Sequence, residues 1–532
     1  MNNAKKTATI ENLTGGLDTF INATEIDDSA TPDCENVIPT GKGGIKTRYG
    51  QSLHGGEMTA TYAGQGYFTY INSSNATEEL IVVNGVLKRK NGASWTTIAG
   101  GTLDTTARVF ATQIGDRLYF ADGVTALCYY NGTAIATTGV NSAPKPSFII
   151  SFNRRIYCNS VDYPDRFYFG GSIDSTTGDA DDTGDFRSTT PAYGGYAGFG
   201  KGKIITGFGK LGASYLVVGV KDGLYRVAPK ADTGASSTLS HSEEMISNSV
   251  GIASHATVDN IENDLGFLSW SDFYLLGEVA SFSSIRTRVI STKISGLIQA
   301  ISASRITKTA GLYSPTQKQY YLTYTESGTY NNAVLIFDTH YKSWWKFTGW
   351  TPAAWVEFVD ENSAYYLNYI SDNPSSSYCY QVEIGADDAG TAIHWYWYSK
   401  VFDLKGFDVA KKFKRWAVLF GPVAGVVTLT LYINDLPNTS TLTLGTATNS
   451  TTGFGCMPFG WKPYGQYTND LGTVFDELTN DYRWKKIARP NSGTRIQFYF
   501  AGGALNESGQ IEKIKIYYIE NPNKKDKSKR IM

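Results

Sequence analysis

The feature that most constrains this chain is a repeated pair of short β-rich runs joined by turn-forming residues. Leu80–Val83 is followed by Asn84-Gly85 and a second run, and Tyr215–Val218 is followed by Asp222-Gly223 and a second run. Asn-Gly and Asp-Gly tolerate the positive φ angles that two-residue hairpin turns require. Seven hairpins are predicted from such paired runs, three with an Asn-Gly or Asp-Gly turn and four with other turns or longer loops. Their anchors are Leu80, Leu118, Ile156, Tyr215, Phe267, Tyr321 and Tyr366.

The spacing of these hairpins indicates the fold class. The six intervals run from residue 80 to residue 366, a mean of about 48 residues. Hairpins that recur every 40 to 50 residues or so are typical of a β-propeller, in which four-stranded sheets surround a central axis. We therefore predict an all-β fold with a β-propeller of about seven blades, within a range of six to eight, over residues 61–388. A series of β-sandwiches is the alternative that the pattern leaves open.

Four other segments differ from the repeat in composition and in hydrophobic pattern. Residues 1–60 are predicted to be irregular and are a candidate for closing or clamping the propeller. Residues 171–203 are acidic and then rich in Gly and aromatic residues, which predicts a surface excursion between blades. Residues 389–520 contain longer strands and Gly-rich turns, which predict a C-terminal antiparallel β-sandwich. Residues 521–532 are predicted to be a solvated basic tail.

A second excursion from the repeat, residues 284–308, is the best helix candidate in the chain. Its apolar residues fall at i, i+4, i+7, i+8 and i+11, which places them on one helical face. They are Ile290, Ile294, Leu297, Ile298 and Ile301. We expect a short helix that packs on a blade.

Composition limits the partners of the chain. Its 532 residues include 48 Lys and Arg against 49 Asp and Glu, a net charge of −1, which argues against an electrostatic grip on nucleic acid or anionic lipid. The five cysteines are widely spaced and form no C-x-x-C pair, so we interpret them as small apolar residues of a β core. No apolar run approaches the length of a membrane span, and no secretory signal is evident. We expect synthesis in a reducing cytoplasm.

Few residues are candidates for chemistry. The five histidines, His54, His241, His255, His340 and His394, stand alone, and no nucleophile elbow or phosphate loop occurs. A propeller glycosidase would need paired carboxylates, and acidic residues do cluster at Asp179, Asp181, Asp182 and Asp185. That cluster does not match a calcium loop, and Lys88–Trp95 lacks the Ser and Asp of a sialidase-type turn. We predict a protein that is not an enzyme, with no catalytic, cofactor-binding or metal-binding residue.

The N-terminal segment resembles a known family. Its quoted stretches are Leu13-Thr14-Gly15-Gly16-Leu17-Asp18-Thr19, Ile26-Asp27-Asp28, Cys34-Glu35-Asn36-Val37 and Gly43-Gly44-Ile45-Lys46-Thr47-Arg48-Tyr49-Gly50. A later stretch, Ser399–Leu404 followed by Lys411–Trp416, is similar to the strand that opens the domain after the propeller in the same family. The family is the tail nozzle of short-tailed bacteriophages, also called tail tubular protein B or packaged-DNA stabilisation protein. The insertion at 171–203 departs from its pattern.

The resemblance implies a structural subunit of the virion tail, assembled in the cytoplasm of a host bacterium. Such a subunit forms a homo-oligomeric ring, a hexamer by resemblance, below the portal and adaptor proteins, and it also contacts tail fibres or spikes. The ring retains packaged double-stranded DNA and conducts it during ejection without sequence-specific binding. Neutralising many phosphates would hold DNA tightly, and a near-neutral chain avoids this.

Two other functions remain open at this point. One is a receptor-binding or carbohydrate-binding tail protein, and the other is a propeller glycoside hydrolase. For the ring, residues 171–203 are expected to contribute to subunit or partner contacts, with exposed aromatic residues of Tyr193–Phe199 as anchors.

Overall fold

A computed structural model of the chain describes most residues. The described ranges are 5–58, 61–173, 181–187, 194–200, 202–213, 215–229, 241–279, 284–404, 406, 408–421, 425–444, 467–468, 474–475, 482–486, 492–505 and 509–525. Regular structure within these ranges is nearly all β. The helical elements there are short, namely Asp181–Gly184, His255–Thr257, Thr292–Ile294, Ser295–Gln299 and Ala303–Ile306.

Seven consecutive sheets, which we call blades 1 to 7, form a β-propeller. Blade 1 comprises Gly64–Ile71, Thr77–Val83, Val86–Asn91 and Ser94–Thr97. Blade 2 comprises Phe110–Ile114, Arg117–Ala121, Cys128–Tyr130 and Ile135–Ala136. Blade 3 comprises Ile149–Phe152, Arg155–Asn159, Arg166–Phe169 and Gly195–Gly198. Blade 4 comprises Ile205–Leu211, Tyr215–Val220, Gly223–Pro229 and His241–Ser247. Blade 5 comprises Asp259–Ile261, Asp264–Leu268, Phe273–Val279 and Ser284–Val289. Blade 6 comprises Ala310–Ser314, Gln319–Tyr324, Ala333–Asp338 and Ser343–Thr348. The prediction of an all-β propeller of about seven blades is confirmed.

Blade 7 is completed by a strand from the other end of the sequence. Its first three strands are Pro352–Val359, Tyr365–Ser371 and Cys379–Val382, and its fourth is Gln51–Leu53. The N–H of His54 donates to the carbonyl of Cys379 at 2.9 Å. Asp387–Asp388 pairs with Thr391–Ala392, and Asp388 also pairs in parallel with Gln51.

The seven predicted hairpins are the second and third strands of the seven blades. Val83 pairs with Val86 across a turn in which Asn84 and Gly85 have φ angles of 51° and 72°, as a two-residue hairpin requires. The two Asp-Gly turns differ from this. In blade 2, Phe120 pairs with Cys128, so Asp122 and Gly123 lie within a longer connection. In blade 4, Val220 pairs with Gly223, so the turn occupies Lys221-Asp222 and needs no positive φ.

The propeller core lies between neighbouring blades. In blade 2, Leu118 and Phe120 pack in a cluster with blade 1, whereas Tyr119 and Ala121 pack in a cluster with blade 3. Both faces of such a strand are buried, which explains why the sequence shows continuous apolar runs instead of alternation. A cluster that joins blade 1 to blade 7 closes the ring, and its members are Met58, Tyr67, Ile81, Val83, Ala353, Val356, Ile370 and Cys379.

The two expected excursions are partly built into blades. The prediction for 171–203 was wrong in one respect: Gly195–Gly198 pairs with Arg166–Phe169 as the outer strand of blade 3, so the insertion interrupts a blade and does not separate two. The helix expected over 284–308 was also wrong in extent. Its first part, Ser284–Val289, is the outer strand of blade 5. The rest forms short helical turns that bury Ile294, Ile298 and Ile301.

Contacts divide the chain into two compact units, Ser52–Leu335 with Trp350–Val382, and Met1–Gln51 with Ile336–Gly349 and Glu383–Met532. The second unit contains two further antiparallel sheets. The first has the order Tyr482–Lys486, Val409–Phe420, Gln510–Lys525, Ile45–Thr47 and Val37–Pro39, with Lys6–Ile10 and Ser492–Gly493 as side branches. The other has the order Cys34–Glu35, Trp395–Tyr398, Ile496–Gly502, Gly425–Ile433 and Leu436–Leu444. Residues 1–60, expected to be irregular, therefore supply strands to both sheets.

Candidate functional site

Two residues of the stretches that carry the family resemblance, Asn36 and Arg48, meet in one buried cluster with Thr348 and Asp388, which we call the Arg48 knot. The side chain of Arg48 is fully buried, and its two Nη atoms lie 2.9 and 2.6 Å from the carboxylate oxygens of Asp388. Its Nε donates to Oδ1 of Asn36 at 2.8 Å, and Nη2 also donates to the carbonyl of Thr348 at 2.7 Å. All the polar edges of the guanidinium are thus engaged, as a buried cation requires.

Glycines of the same motifs are explained by close packing. A Cβ on Gly50 would lie 1.8 Å from the carbonyl oxygen of Asp387, and a Cβ on Gly44 would lie 2.4 Å from that of Ile511. Gly16 has a φ of 67°, and a Cβ there would lie 2.6 Å from the carbonyl oxygen of Trp344. Because backbone atoms cannot yield to a side chain, these positions accept only glycine. The motif residues Asn36, Arg48 and Gly50 therefore have one common structural use.

Arg108 closes one end of the propeller axis. It precedes the inner strand of blade 2, yet its guanidinium donates to the carbonyls of Lys308 at 2.7 Å, Thr309 at 2.9 Å and Ala353 at 2.9 Å. Those carbonyls belong to the chain entering blade 6 and to blade 7. The side chain therefore reaches across to blades that are not neighbours of its own blade. Burial lowers the pKa of Arg108 to about 10, which still leaves it charged at neutral pH.

A polar network supports this closure. The side-chain amide of Asn331, fully buried, donates to the carbonyls of Lys308 at 3.1 Å and Pro352 at 3.0 Å. Its backbone N–H donates to Asp372 at 2.7 Å, and the same carboxylate lies 3.3 Å from Arg305. Burial raises the pKa of Asp372, although Asn331 and the two arginines oppose the rise.

His255 fills the same end of the axis from blade 5. Its ring centroid lies 4.8 Å from that of Phe110 and 5.1 Å from that of Phe148, and its Nδ1 accepts the N–H of Phe208 at 3.2 Å. These partners belong to blades 2, 3 and 4. Burial lowers the pKa of His255 to about 4, so the ring is neutral at pH 7. Together the contacts of Arg108 and His255 connect six of the seven blades, blades 2 to 7, at this end of the axis.

Two inner-strand carboxylates were missed by the sequence analysis. Asp259 of blade 5 accepts the N–H of Tyr313 at 2.8 Å, and Glu357 of blade 7 accepts the hydroxyl of Ser314 at 3.1 Å. Burial raises both pKa values, that of Asp259 to about 6. An elevated pKa suits a general acid. Both carboxylates nevertheless accept hydrogen bonds from blade 6, which lies between their own blades, so they hold neighbouring blades together. No sequence signal marks them, since each is a lone acid in a strand.

A cavity of about 350 Å³ opens on blade 1. It is lined by Thr77, Glu78, Glu79, Arg89, Lys90 and Asn91. His54 Nε2 lies 2.8 Å from Glu79 and 2.8 Å from Lys90, so the charged groups of the cavity are bonded among themselves. Burial raises the pKa of Glu79, but the hydrogen bonds from His54 and Tyr67 and the neighbouring positive charge together outweigh it, so the pKa is lowered.

The other candidate residues of the sequence are dispersed. Asp185 is buried and bonded to Arg187 and Asn141, so its pKa is lowered although burial opposes this, while Asp179 and the side chains of Asp181 and Asp182 lie outside the described residues. His241 packs among aromatic rings, where burial lowers its pKa to about 4. Within the described ranges, no group of three or more His, Cys, Asp or Glu side chains could hold a metal ion.

The four described cysteines are free and buried, which confirms their assignment to the β core. They are Cys34, Cys128, Cys158 and Cys379, while Cys456 lies outside the described residues. In the part of the chain that the structure describes, no helix is long and apolar enough to cross a membrane.

The aromatic residues expected as anchors have different environments. Tyr196 is 56% exposed, whereas the ring of Phe199 lies 4.4 Å from that of Tyr225 in a blade core. Tyr193 lies outside the described residues.

Comparisons with known proteins find likeness only among solved structures. No family model matches the chain, and no curated protein matches its sequence at a significant level. A virginiamycin B lyase from Staphylococcus aureus, solved with quinupristin, is 10% identical with a TM-score of 0.38, over 62% of this chain and 99% of the lyase. The WD40 propeller domain of Doa1 is 8% identical with a TM-score of 0.36, over 63% and 96%. A chain of a mitotic checkpoint complex is 10% identical with a TM-score of 0.39, over 63% and 93%. Scores this low carry no argument, and the fold rests on the sheets themselves.

Proposed function

We propose that this chain is a non-enzymatic structural subunit of a bacteriophage tail. Copies of it form a ring-shaped nozzle below the portal and adaptor, which retains packaged DNA and conducts it during ejection. The ring is a hexamer by family resemblance, and its other neighbours are tail fibres or spikes.

The observation that carries this proposal is the Arg48 knot. Residues that resemble the nozzle opening are separated in sequence, yet Asn36 and Arg48 bond to each other and Gly50 packs against the neighbour of Asp388. A chance similarity of short motifs gives no reason for such convergence. The knot therefore supports the resemblance, and the resemblance supplies the function.

The closed propeller axis agrees with a structural role. Propellers that bind ligands commonly use the open mouth of the axis, as pockets in closed β architectures do. Here Arg108 and His255 fill one end of it. A duplex that such a subunit guides would run beside the propeller, along a path that several copies build. The net charge of −1 favours passage without tight binding.

DNA retention tests this function. In the phage that encodes the chain, inactivating its gene should give particles that fill with DNA and then lose it. Purified protein added to lysates should restore DNA that is protected from nuclease. Particles that lack the protein yet stay full and infective would overturn the proposal.

Receptor or carbohydrate binding is the second candidate function. The cavity on blade 1 favours it, because amide, hydroxyl and charged side chains converge there and the ammonium of its Lys90 lies 5.5 Å from the ring centroid of Trp95. Full particles that lack the protein and fail only to attach to cells would support this alternative, as would glycan binding by the purified chain.

A further inference from the structure

Exposed apolar side chains of the propeller concentrate around blade 3. Val161, Tyr163, Tyr196 and Ile204 are 48%, 50%, 56% and 51% exposed. The chain segments that carry them are tied together, since the N–H of Ile205 donates to the carbonyl of Pro164 at 2.9 Å and the N–H of Phe199 donates to that of Asp165 at 3.1 Å. We call the four side chains and Arg166 the blade-3 patch. Such a group of neighbouring exposed apolar residues marks an interaction surface.

Arg166 is the charged centre of this patch. Its guanidinium carbon lies 4.5 Å from the ring centroid of Tyr163 and 4.8 Å from that of Tyr196. Tyr196 also packs against Tyr168, with ring centroids 5.6 Å apart. No described carboxylate forms an ion pair with Arg166. Two rings thus hold the guanidinium in place while its charge remains available, which lowers the entropy lost when an anion binds.

The chemistry of the patch fits a protein carboxylate better than a nucleic acid phosphate. Binding a duplex requires several cations, whereas the patch contains one and has Asp162 and Asp165 beside it. Tyrosine and arginine at the centre of an apolar surface are typical of protein interface hot spots. The expected partner is therefore an exposed acidic side chain with apolar neighbours.

The N-terminal segment of the same chain presents such a group. Phe20 is 63% exposed, the most exposed aromatic side chain of the described residues, and its neighbour Ile21 is 42% exposed. A turn in which the N–H of Glu25 donates to the carbonyl of Asn22 at 2.8 Å follows them. Glu25 is exposed and forms no ion pair with a described residue, whereas nearby Asp28 is bonded to Lys400 at 2.8 Å.

We propose that Glu25 of one copy binds Arg166 in the blade-3 patch of the next copy, while Phe20 and Ile21 cover the tyrosine rings. Charge and apolar character are complementary between the two surfaces. Because the surfaces differ, the contact is heterologous, and repeated around a rotation axis it closes a ring. The inference rests on the proposed ring and names the contact that builds it.

Charge reversal in the full-length chain tests this contact. Arg166→Glu and Glu25→Arg should each raise the concentration at which assemblies form by at least about tenfold, as measured by sedimentation velocity, since one interfacial charge pair becomes a repulsive one. The double variant should return to within about threefold of wild type. Arg154→Glu, on the same blade, and Glu361→Arg are matched controls that should leave assembly unchanged. Circular dichroism checks that every variant is folded.

The remaining outcomes are separable. Two weakened single variants that the double variant does not rescue would overturn the pairing of these residues. A wild-type chain that assembles while Arg166→Glu assembles equally well would overturn the patch and leave the nozzle function standing. A wild-type chain that never self-associates would overturn the docking, and the DNA-retention assay would judge the function separately. If Arg166→Glu weakens binding of a labelled DNA duplex without affecting assembly, the partner is nucleic acid and the proposal fails.

Discussion

Replacing Arg48 by Met should destabilise the chain strongly. The substitution keeps most of the side-chain volume but leaves the carboxylate of Asp388, which is 9% exposed, without its cation. It also removes the donors to Asn36 and to the carbonyl of Thr348. Removing one partner of a buried ion pair costs about 3–5 kcal/mol, because the other charge remains buried and unpaired. We expect a loss of this size in the free energy of unfolding.

Thermal unfolding followed by tryptophan fluorescence measures this effect. A loss of about 3–5 kcal/mol in a unit of this size corresponds to a decrease of roughly 10 °C in the unfolding midpoint. The matched control is Arg495→Met, because Arg495 is paired with Asp435 on the surface, where the two side chains are 44% and 69% exposed. Exposed pairs contribute about 0–1 kcal/mol, so this midpoint should decrease by no more than about 2 °C.

A second variant distinguishes the cost of the unpaired carboxylate of Asp388 from the cost of lost packing around residue 48. Arg48→Met combined with Asp388→Leu removes both charges and should recover at least half of the lost midpoint, since an apolar pair can replace a buried ion pair. Equal midpoints for Arg48→Met and Arg495→Met would refute the reasoning, and so would a double variant less stable than the single one.

Three further predictions concern charged residues of the propeller. Arg108→Met should reduce the free energy of unfolding by about 3 kcal/mol, because three carbonyl acceptors lose a charged donor. Arg154→Met, which removes a single bond to a carbonyl in an exposed position, should change the denaturant midpoint much less, and equal midpoints would contradict the closure. The folded-state pKa of Asp259, about 6, exceeds the ordinary 3.8, so its stabilising contribution is present below pH 4 and is lost as the pH rises through 6. Asp259→Asn should abolish this decline, gaining up to about 3 kcal/mol over wild type between pH 4 and 7. Burial raises the pKa of Asp122, but hydrogen-bond donors outweigh it and lower the pKa, so its stabilising contribution is lost as the pH falls. Asp122→Asn should therefore be less stable than wild type at neutral pH. This difference, measured by urea denaturation at several pH values, should shrink as the pH is lowered.

The hairpins were predictable because their determinants are local. Asn84-Gly85 specifies its turn through backbone conformation alone, and strands such as Leu80–Val83 are apolar because both of their faces are buried. Reliance on local sequence signals also explains why the helix predicted over 284–308 was wrong in extent. Its apolar periodicity is real, and Ile294, Ile298 and Ile301 are buried, but pairing with blade 5 takes Ser284–Val289 into a strand.

Contacts between distant parts of the sequence were not predictable. Gln51–Leu53 completes blade 7 across more than 300 residues of chain, and Arg48 meets Asp388 340 residues away. Neither pairing leaves a periodic trace, because a single strand or a single charge carries no spacing information. Arg108 and Asp259 were missed for the same reason, since their roles arise only when the blades form a ring.

Cryo-electron microscopy of virions from the phage proposed to encode this chain tests the central claim most directly. The account predicts a closed ring of identical propeller-bearing subunits on the tail axis, below the portal and adaptor, with DNA passing between the copies and outside each propeller. Density for the seven-bladed propeller at the tips of fibres, or no such density in the particle, would contradict it.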